Sequence, residues 1–190
     1  MNRFSRLPRF PRLALAATLS AGLGLGLAAC SGGSSGDDDT SAGGASDTAM
    51  AGRDVLLASM PADPVDIIAA KPALAEGETV ALRGRIGGSR APMTGESGVF
   101  ILMDVSARYC PPEEGCPTPW DYCCTTPEAR IAANATVQLV GTDGAPLAAD
   151  FDALGLEPLD EVVVVGTVGP RPDAGVLVVR ATGIYEVSGG

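Results

Sequence analysis

The chain of 190 residues contains no histidine, and only 4% of its residues are aromatic, which leaves few side chains for stacking on bases or sugars. Histidine is the most frequent general base and the commonest metal ligand, so most catalytic triads and histidine-ligated metal sites are excluded. Basic residues are also scarce, with 13 against 23 acidic residues. Nucleic acids and anionic membranes are bound through excess positive charge. The composition argues against both partners, and we recognise no catalytic constellation in the sequence.

The N-terminal segment has the charge pattern of an export signal. Four arginines precede an apolar run, residues 13–29, which is too short and too interrupted by glycine for a good transmembrane helix. The run ends in Leu27-Ala28-Ala29-Cys30, which resembles the lipobox of bacterial lipoproteins. This resemblance implies that residues 1–29 are a signal peptide and that Cys30 carries the lipid. An ordinary secretory signal with an incidental Cys30 is the alternative.

Residues 30–54 have the composition of a flexible tether, because Ser, Gly, Asp, Thr and Ala cannot bury enough apolar surface to offset chain entropy. Several acyl chains on one cysteine anchor a protein stably, since each buried methylene contributes about 0.8 kcal/mol. The resemblance therefore implies attachment to the cell envelope, and Ser31 in place of aspartate favours the outer membrane where a cell has two. Without residues 1–29 the net charge is 9 − 23 = −14, because the four arginines leave with the signal.

The remainder of the chain has the pattern of a small all-β domain. Residues 55–75 are predicted to form an irregular lead-in with one or two helical turns, because Pro61 and Pro64 interrupt its helical spacing. Residues 148–159 are predicted to form a short helix or a compact loop. Within residues 76–188, period-two alternation and β-rich runs predict five strands, over residues 79–86, 98–105, 131–141, 161–168 and 176–185.

The order of these elements resembles the OB-fold. The polar start and apolar run of residues 159–168 are similar to its fourth strand, and Gly84 stands where its first strand bends. The resemblance covers residues 76–187 and implies a five-stranded barrel with a cysteine-rich loop between strands 2 and 3. An immunoglobulin-like sandwich is the alternative, but it needs about seven strands.

Four cysteines lie between the second and third predicted strands: Cys110, Cys116, Cys123 and Cys124. An even set in an exported domain is typical of disulfides. A bond between adjacent cysteines would distort the peptide between them, which leaves Cys110–Cys123 with Cys116–Cys124, or Cys110–Cys124 with Cys116–Cys123. The stretch CPTPWDYCC, residues 116–124, is also similar to a motif of uncharacterised exported bacterial proteins, and this similarity implies no activity.

Two other interpretations of these cysteines stay open. Four thiolates are able to ligate zinc, copper or an iron–sulfur cluster, although the spacing lacks the Cys-x-x-Cys knuckle of most structural sites. A redox or catalytic thiol needs a lowered pKa, and Arg108 and Arg130 flank the loop as nearby cations. Two disulfides and no resident cofactor are the preferred prediction.

The candidate ligand contacts are Trp120 and Tyr122 in the loop, with Arg83 and Arg85 on the first predicted strand. If exposed together, such side chains would bind a sugar or a base. The preferred interpretation is structural: Trp120 packs on the disulfides and caps the barrel, while Asp121 accepts a hydrogen bond within a turn. The arginines would then lie on a solvated strand face.

The sequence as a whole predicts a membrane-anchored module that binds or scaffolds an envelope protein or a small ligand, without enzymatic turnover. A thiol-based redox protein or a four-cysteine metal-binding protein is one alternative. An oligonucleotide or oligosaccharide binder that uses the barrel face and Trp120 is the other, although the acidity of the mature chain disfavours nucleic acid.

Overall fold

The structure is a computed structural model that describes residues 53–187. The predicted signal peptide, Cys30 and nearly all of the predicted tether lie outside the described residues. No helix within residues 53–187 combines the length and the hydrophobicity needed to cross a lipid bilayer.

The described chain is mostly β-structure, with two short α-helices. The helices are α1, Ile67–Ala70, and α2, Pro127–Ala133. The strands are β1, Val65–Asp66; β2, Thr79–Ile86; β3, Met93–Thr94; β4, Val99–Met103; β5, Asn134–Leu139; β6, Glu161–Val168; and β7, Val178–Glu186. Three short 3₁₀ turns, Gly95–Ser97, Pro112–Glu114 and Pro119–Asp121, lie in the connections.

Five of the strands close into a barrel in the order β2–β6–β7–β5–β4, and β4 returns to β2. The pairs are antiparallel except β5 with β7, which run parallel. Closure between β2 and β4 uses only two residue pairs, Arg85 with Met103 and Ile86 with Leu102. The predicted five-stranded, OB-like barrel is confirmed. The short strand β1 adds parallel to β2, and β3 adds to β4.

The barrel interior is filled by the alternating side chains that the strand pattern predicts. On β2, Val80, Leu82 and Ile86 are buried, and Gly84 occupies the inward position between them. A Cβ atom at Gly84 would lie 3.0 Å from Leu102 Cβ and from the Ile67 side chain, so glycine permits the close approach of α1 and β4. Phe100 packs edge-to-face on Phe151, with ring centroids 5.7 Å apart.

Three strand predictions differ from the structure in detail. The fifth predicted strand, residues 176–185, is observed as β7, Val178–Glu186. The third predicted strand began at Ile131, but residues 131–133 belong to α2, because Thr126 caps a helix that starts at Pro127. The second predicted strand ran to Val105, but β4 ends at Met103, where Asp104 leaves the sheet. Residues 148–159 form a compact loop of turns rather than a helix.

The lead-in is fastened to the barrel by the buried Lys71 and the half-buried Arg171. Lys71 is almost fully buried, and its ammonium group donates to the carbonyl oxygens of Ile131 and Asn134, at 2.6 and 2.7 Å. Burial lowers the pKa of Lys71, and the charge of Arg171 lowers it further. Arg171, from the β6–β7 connection, donates to the carbonyl oxygens of Lys71 and Leu74. These contacts hold α1 against α2, the helix that directly follows the cysteine-containing segment of the chain.

Candidate functional site

The cysteine loop, defined as residues 104–126, connects β4 to α2 and lies against the turn that follows β2. The backbone N–H of Gly88 donates to the carbonyl oxygen of Trp120 at 2.7 Å. At the base of the loop, the N–H of Asp104 donates to the carbonyl oxygen of Ala133 at 2.7 Å. The loop is therefore tied to the barrel at its start and near its middle.

The carboxylate of Asp104 organises the base of the loop. It is 2% exposed and accepts hydrogen bonds from the Ile68 N–H at 2.7 Å, the Ser106 N–H at 2.9 Å and the Ser106 hydroxyl at 2.5 Å. Burial opposes its charge, but the hydrogen bonds from Ile68 and Ser106 outweigh this effect and lower the pKa of Asp104. Sequence reasoning missed this residue, although an acidic side chain directly after a buried strand was a usable signal.

Tyr122 forms a second, small hydrophobic cluster beneath the loop. Its side chain is 0% exposed and packs with Met103 and Ala133. A Cβ atom at Gly87 would lie 2.7 Å from the Tyr122 ring, so the ring needs a glycine beneath it. A ligand cannot reach this ring unless the loop opens. The structure therefore places Tyr122, a candidate ligand contact, in the interior.

The hydroxyl group of Tyr122 has no hydrogen-bond partner among residues 53–187. Burial raises the pKa of this phenol and outweighs the opposing effect of Arg85. Tyr122 also has a φ of 55°, in the left-handed region. A left-handed tyrosine with an unpaired hydroxyl costs free energy, which the burial of its ring offsets.

Trp120 is half-buried and held across the turn that follows β2. Its indole Nε1 donates to the carbonyl oxygen of Arg90 at 3.1 Å. Next to it, Asp121 accepts from the Thr118 hydroxyl and from the Cys123 N–H, each at 2.8 Å. Burial opposes the charge of Asp121, but these two hydrogen bonds help to lower its pKa. The predicted turn hydrogen bond of Asp121 is present, and Trp120 is fixed rather than freely projecting.

The four cysteines of the loop meet at one place, although their exposure differs. Cys110 is 1% exposed, whereas Cys123 and Cys124 are exposed and Cys116 is half-buried. The shortest sulfur–sulfur distance, 2.8 Å, joins Cys110 to Cys124. Cys123 lies 3.6 Å from Cys110, 3.8 Å from Cys116 and 3.9 Å from Cys124. All of these distances are longer than a disulfide bond, which is about 2.05 Å.

The sulfur atoms fall into two groups that share one member. Those of Cys110, Cys123 and Cys124 lie within 4.8 Å of one another. Those of Cys116 and Cys123 form the second group, together with a carboxylate oxygen of Asp121. A tetrahedral site with metal–sulfur bonds of about 2.3 Å needs all six sulfur–sulfur distances near about 3.8 Å. Cys116 stands apart from Cys110 and Cys124, so the loop does not present a regular four-thiolate tetrahedron.

The thiol pKa values are shifted in opposite directions within this cluster. The hydrogen bond between Cys110 and Cys124 lowers the pKa of Cys110. Contact with Cys110, followed by the carboxylate of Asp121, raises the pKa of Cys123. Contact with Cys110 also raises the pKa of Cys124. Of these three thiols, Cys110 alone has a lowered pKa.

The arginines of β2 are engaged with protein groups. The guanidinium of Arg83 donates to Glu161 at 2.7 Å. Arg85 lies 3.9 Å from the other carboxylate oxygen of Glu161 and stacks over the Tyr109 ring, 5.2 Å from its centroid. Within the loop, Arg108 pairs with Glu114 at 2.5 Å. Arg85 also donates to the carbonyl oxygen of Val105, so it packs against the cysteine loop, whereas Arg83 is engaged with β6.

No protein-family model matches the chain, and comparison with curated proteins finds no match either.

Replacement of Tyr122 by phenylalanine tests whether the buried hydroxyl group is unpaired. An unsatisfied buried hydroxyl costs about 1–3 kcal/mol, so Tyr122→Phe is expected to leave the free energy of unfolding unchanged or to raise it by about 1 kcal/mol. Urea denaturation of the oxidised protein measures this quantity.

Tyr122→Ala provides the matched control, because it also removes the ring and should lower the free energy of unfolding by about 3 kcal/mol. A loss of more than about 1 kcal/mol in Tyr122→Phe would mean that the hydroxyl group has a partner.

Proposed function

We propose that this protein is a lipid-anchored component of the bacterial cell envelope, in which a disulfide-stapled barrel binds or scaffolds a partner. The observation that carries the proposal is the meeting of all four loop cysteines beside the single tryptophan, on a loop held to the barrel. The lipobox-like sequence that ends at Cys30 supports the anchor. An exported compartment is oxidising, and it favours disulfides over free thiols.

The distances favour one of the two pairings that the sequence leaves open. Non-bonded heavy atoms prefer separations of about 3.5–4.0 Å, so Cys110 and Cys124, at 2.8 Å, are already closer than an unbonded contact. The partner bond would join Cys116 to Cys123, whose sulfur atoms lie 3.8 Å apart. The other pairing needs a bond between Cys116 and Cys124, which belong to different sulfur groups. We therefore assign Cys110–Cys124 and Cys116–Cys123.

Each of these bonds closes a short loop, and the chain-entropy model gives each about 2–3 kcal/mol of stabilisation. That contribution is large for a small barrel with few aromatic side chains. The stapled loop also keeps Trp120 in a defined position. A surface that is already ordered loses little conformational entropy when it binds, which suits a binding module.

The surface that this loop presents combines Trp120 with Arg90. The Arg90 side chain is 88% exposed and lies 4.0 Å from the Asp121 carboxylate, while its carbonyl oxygen accepts from Trp120. Tryptophan and arginine are the residue types that most often dominate the free energy of protein association. We therefore take an envelope protein as the preferred partner, with a small ligand as the alternative.

Metal binding is the second candidate function, and the group formed by Cys110, Cys123 and Cys124 favours it. Three thiolates within 4.8 Å of one another suit a soft ion such as copper(I), or zinc with a further ligand. The 2.8 Å contact would have to open by about 1 Å to reach the sulfur spacing of such a site. An oligonucleotide or oligosaccharide site receives less support, because Arg83 and Arg85 are engaged with Glu161 and Tyr109.

The intact mass of the protein purified from membranes without reductant tests the anchor and the staple together. The expected mass is that of a chain beginning at an acylated Cys30, and reduction of two disulfides should add four hydrogen atoms. Elemental analysis should find no stoichiometric metal.

The Cys30→Ser variant is the control for the anchor, and it should lose both the lipid mass and the membrane association. Four thiols that alkylate without reductant, together with bound metal, would support the second candidate and contradict the disulfides.

Trp120→Ala and Arg90→Ala test the binding surface. Each variant is tested as the oxidised, detergent-solubilised protein. It should retain about one tenth, or less, of the envelope partner that the wild type retains. A tenfold loss of affinity corresponds to about 1.4 kcal/mol of binding free energy. Quantitative mass spectrometry of proteins retained from an envelope extract measures the difference.

Thr79→Ala is the matched control, because Thr79 is exposed at the opposite end of β2. Equal retention by all four proteins, or no retention by the wild type, would contradict a binding role for this surface.

A further inference from the structure

Cys123 occupies a special position among the cysteines of the loop. Its sulfur atom contacts each of the other three, at 3.6, 3.8 and 3.9 Å. Among residues 53–187, the one sulfur atom within 4.0 Å of the Cys116 sulfur belongs to Cys123, and Cys116 stands on an exposed segment, residues 113–117. Cys110 is buried beneath them. One exposed sulfur atom therefore links the exposed side of the cluster to its buried side.

We propose that Cys123 is a thiol–disulfide exchange centre, through which an external dithiol reduces the loop and the remaining disulfide changes partner. This inference rests on the proposed pairing of Cys110 with Cys124 and of Cys116 with Cys123. It adds an activity to the proposed binding module, with a dithiol of a partner protein or of a small molecule as the electron donor.

The first step is reduction of the exposed disulfide. One thiolate of the dithiol attacks the sulfur atom of Cys116, a mixed disulfide forms, and Cys123 leaves as a thiolate with the electron pair of the broken bond. The second thiolate of the dithiol then attacks the dithiol's first sulfur atom in the mixed disulfide, forms the disulfide of the donor and releases Cys116 as a thiolate. The dithiol has lost two electrons and two protons, and Cys116 and Cys123 have gained them.

The second step is an internal exchange that needs no further electrons. The Cys123 thiolate left by the first step lies 3.6 Å from the Cys110 sulfur atom. The Cys110 thiol, which raises the pKa of Cys123 in the reduced loop, is absent here because Cys110 is bonded to Cys124. The Cys123 side chain turns into line with the Cys110–Cys124 bond, attacks Cys110 and forms a Cys110–Cys123 bond. Cys124 leaves as a thiolate and takes up a proton from solvent. Attack on Cys124 instead would create a bond between adjacent residues, which is strained. The product has one disulfide, with Cys116 and the exposed Cys124 as free thiols.

The structural consequence is control of the exposed segment of the loop. Apart from the Cys116–Cys123 contact, residues 113–117 are held by the hydrogen bond from the Glu114 N–H to the carbonyl oxygen of Pro111, within the same loop, and by the ion pair of Glu114 with Arg108, whose side chain is 76% exposed. Exposed ion pairs contribute little to stability, so reduction at Cys116 releases this segment. The buried Cys110 stays bonded throughout, which keeps the base of the loop and Tyr122 in place.

The test is disulfide exchange in the detergent-solubilised full-length protein. The oxidised wild type is treated with a limiting amount of dithiothreitol, quenched with iodoacetamide at intervals, and the alkylated cysteines are located by tandem mass spectrometry. The expected sequence is alkylation at Cys116 and Cys123 first, followed by alkylation at Cys116 and Cys124. Simultaneous appearance of four alkylated cysteines, or first alkylation at Cys110, would overturn the proposal.

A pair of variants tests the same step without any added reductant. In Cys116→Ser the thiol of Cys123 is free beside the Cys110–Cys124 bond, so exchange should make Cys124 alkylatable in part of the molecules. In the matched control, Cys116→Ser with Cys123→Ser, Cys124 should alkylate roughly tenfold less, because the exchanging thiol is missing. Equal alkylation of Cys124 in both variants would refute the exchange.

The failure of the pairing and the failure of the exchange give different results. If the untreated wild type contains other disulfides or none, the pairing is wrong, whatever the variants do. If the pairing is found but Cys124 never becomes alkylatable in Cys116→Ser, the loop is a passive staple and Cys123 is not an exchange centre.

Discussion

The packing of the Tyr122 ring against the backbone of Gly87 places the cysteine loop on the barrel. The ring fills the space that a side chain at residue 87 would take, and it completes a small hydrophobic cluster with Met103 and Ala133. Tyr122 adopts left-handed backbone angles to reach this position. Because Cys123 and Cys124 follow directly in the chain, the ring determines where both sulfur atoms lie. The arrangement of the four cysteines depends on this contact and on Asp104 at the base of the loop.

The cysteine cluster has a buried side, at Cys110, and a solvent-accessible side, at Cys123 and Cys124. Cys110 lies in the interior, close to Cys124, while Cys116 is carried by an exposed segment. Disulfides in such a setting stabilise mainly by restricting the unfolded chain, and their resistance to reduction depends on access. In the proposed pairing, the Cys110–Cys124 bond stabilises the base of the loop and the more accessible Cys116–Cys123 bond controls its outer segment, residues 113–117. Trp120 follows that segment in the chain and donates to the carbonyl oxygen of Arg90, so the proposed binding surface and the proposed exchange belong to the same loop.

Much of the barrel could be predicted from the sequence, because its strands have simple patterns. The alternation of β2 and the four valines of β6 gave both strands with the bounds that the structure shows. The prediction was wrong at Ile131, since a helix begun by Thr126 and Pro127 continues to Ala133, and weak alternation hid it. Such errors arise where helical and strand patterns overlap over a few residues.

The candidate site was predictable in part. The close spacing and the even number of the cysteines indicated that all four act together. The choice between the two pairings depends on distances that only the folded loop provides. The burial of Tyr122 was also beyond the sequence, because it depends on a glycine that is 35 positions earlier in the chain and close in space. The engagement of Arg83 and Arg85 with Glu161 depends on the register of β2 against β6. The lipid anchor at Cys30 stays a prediction, since it lies outside residues 53–187.

The most direct test of the central claim is the disulfide map of the oxidised protein. Non-reducing digestion followed by electron-transfer fragmentation assigns partners even for the adjacent Cys123 and Cys124. The account predicts that Cys110 is bonded to Cys124 and Cys116 to Cys123. A map in which Cys110 is bonded to Cys123 and Cys116 to Cys124, or a protein in which all four thiols are free, would contradict it.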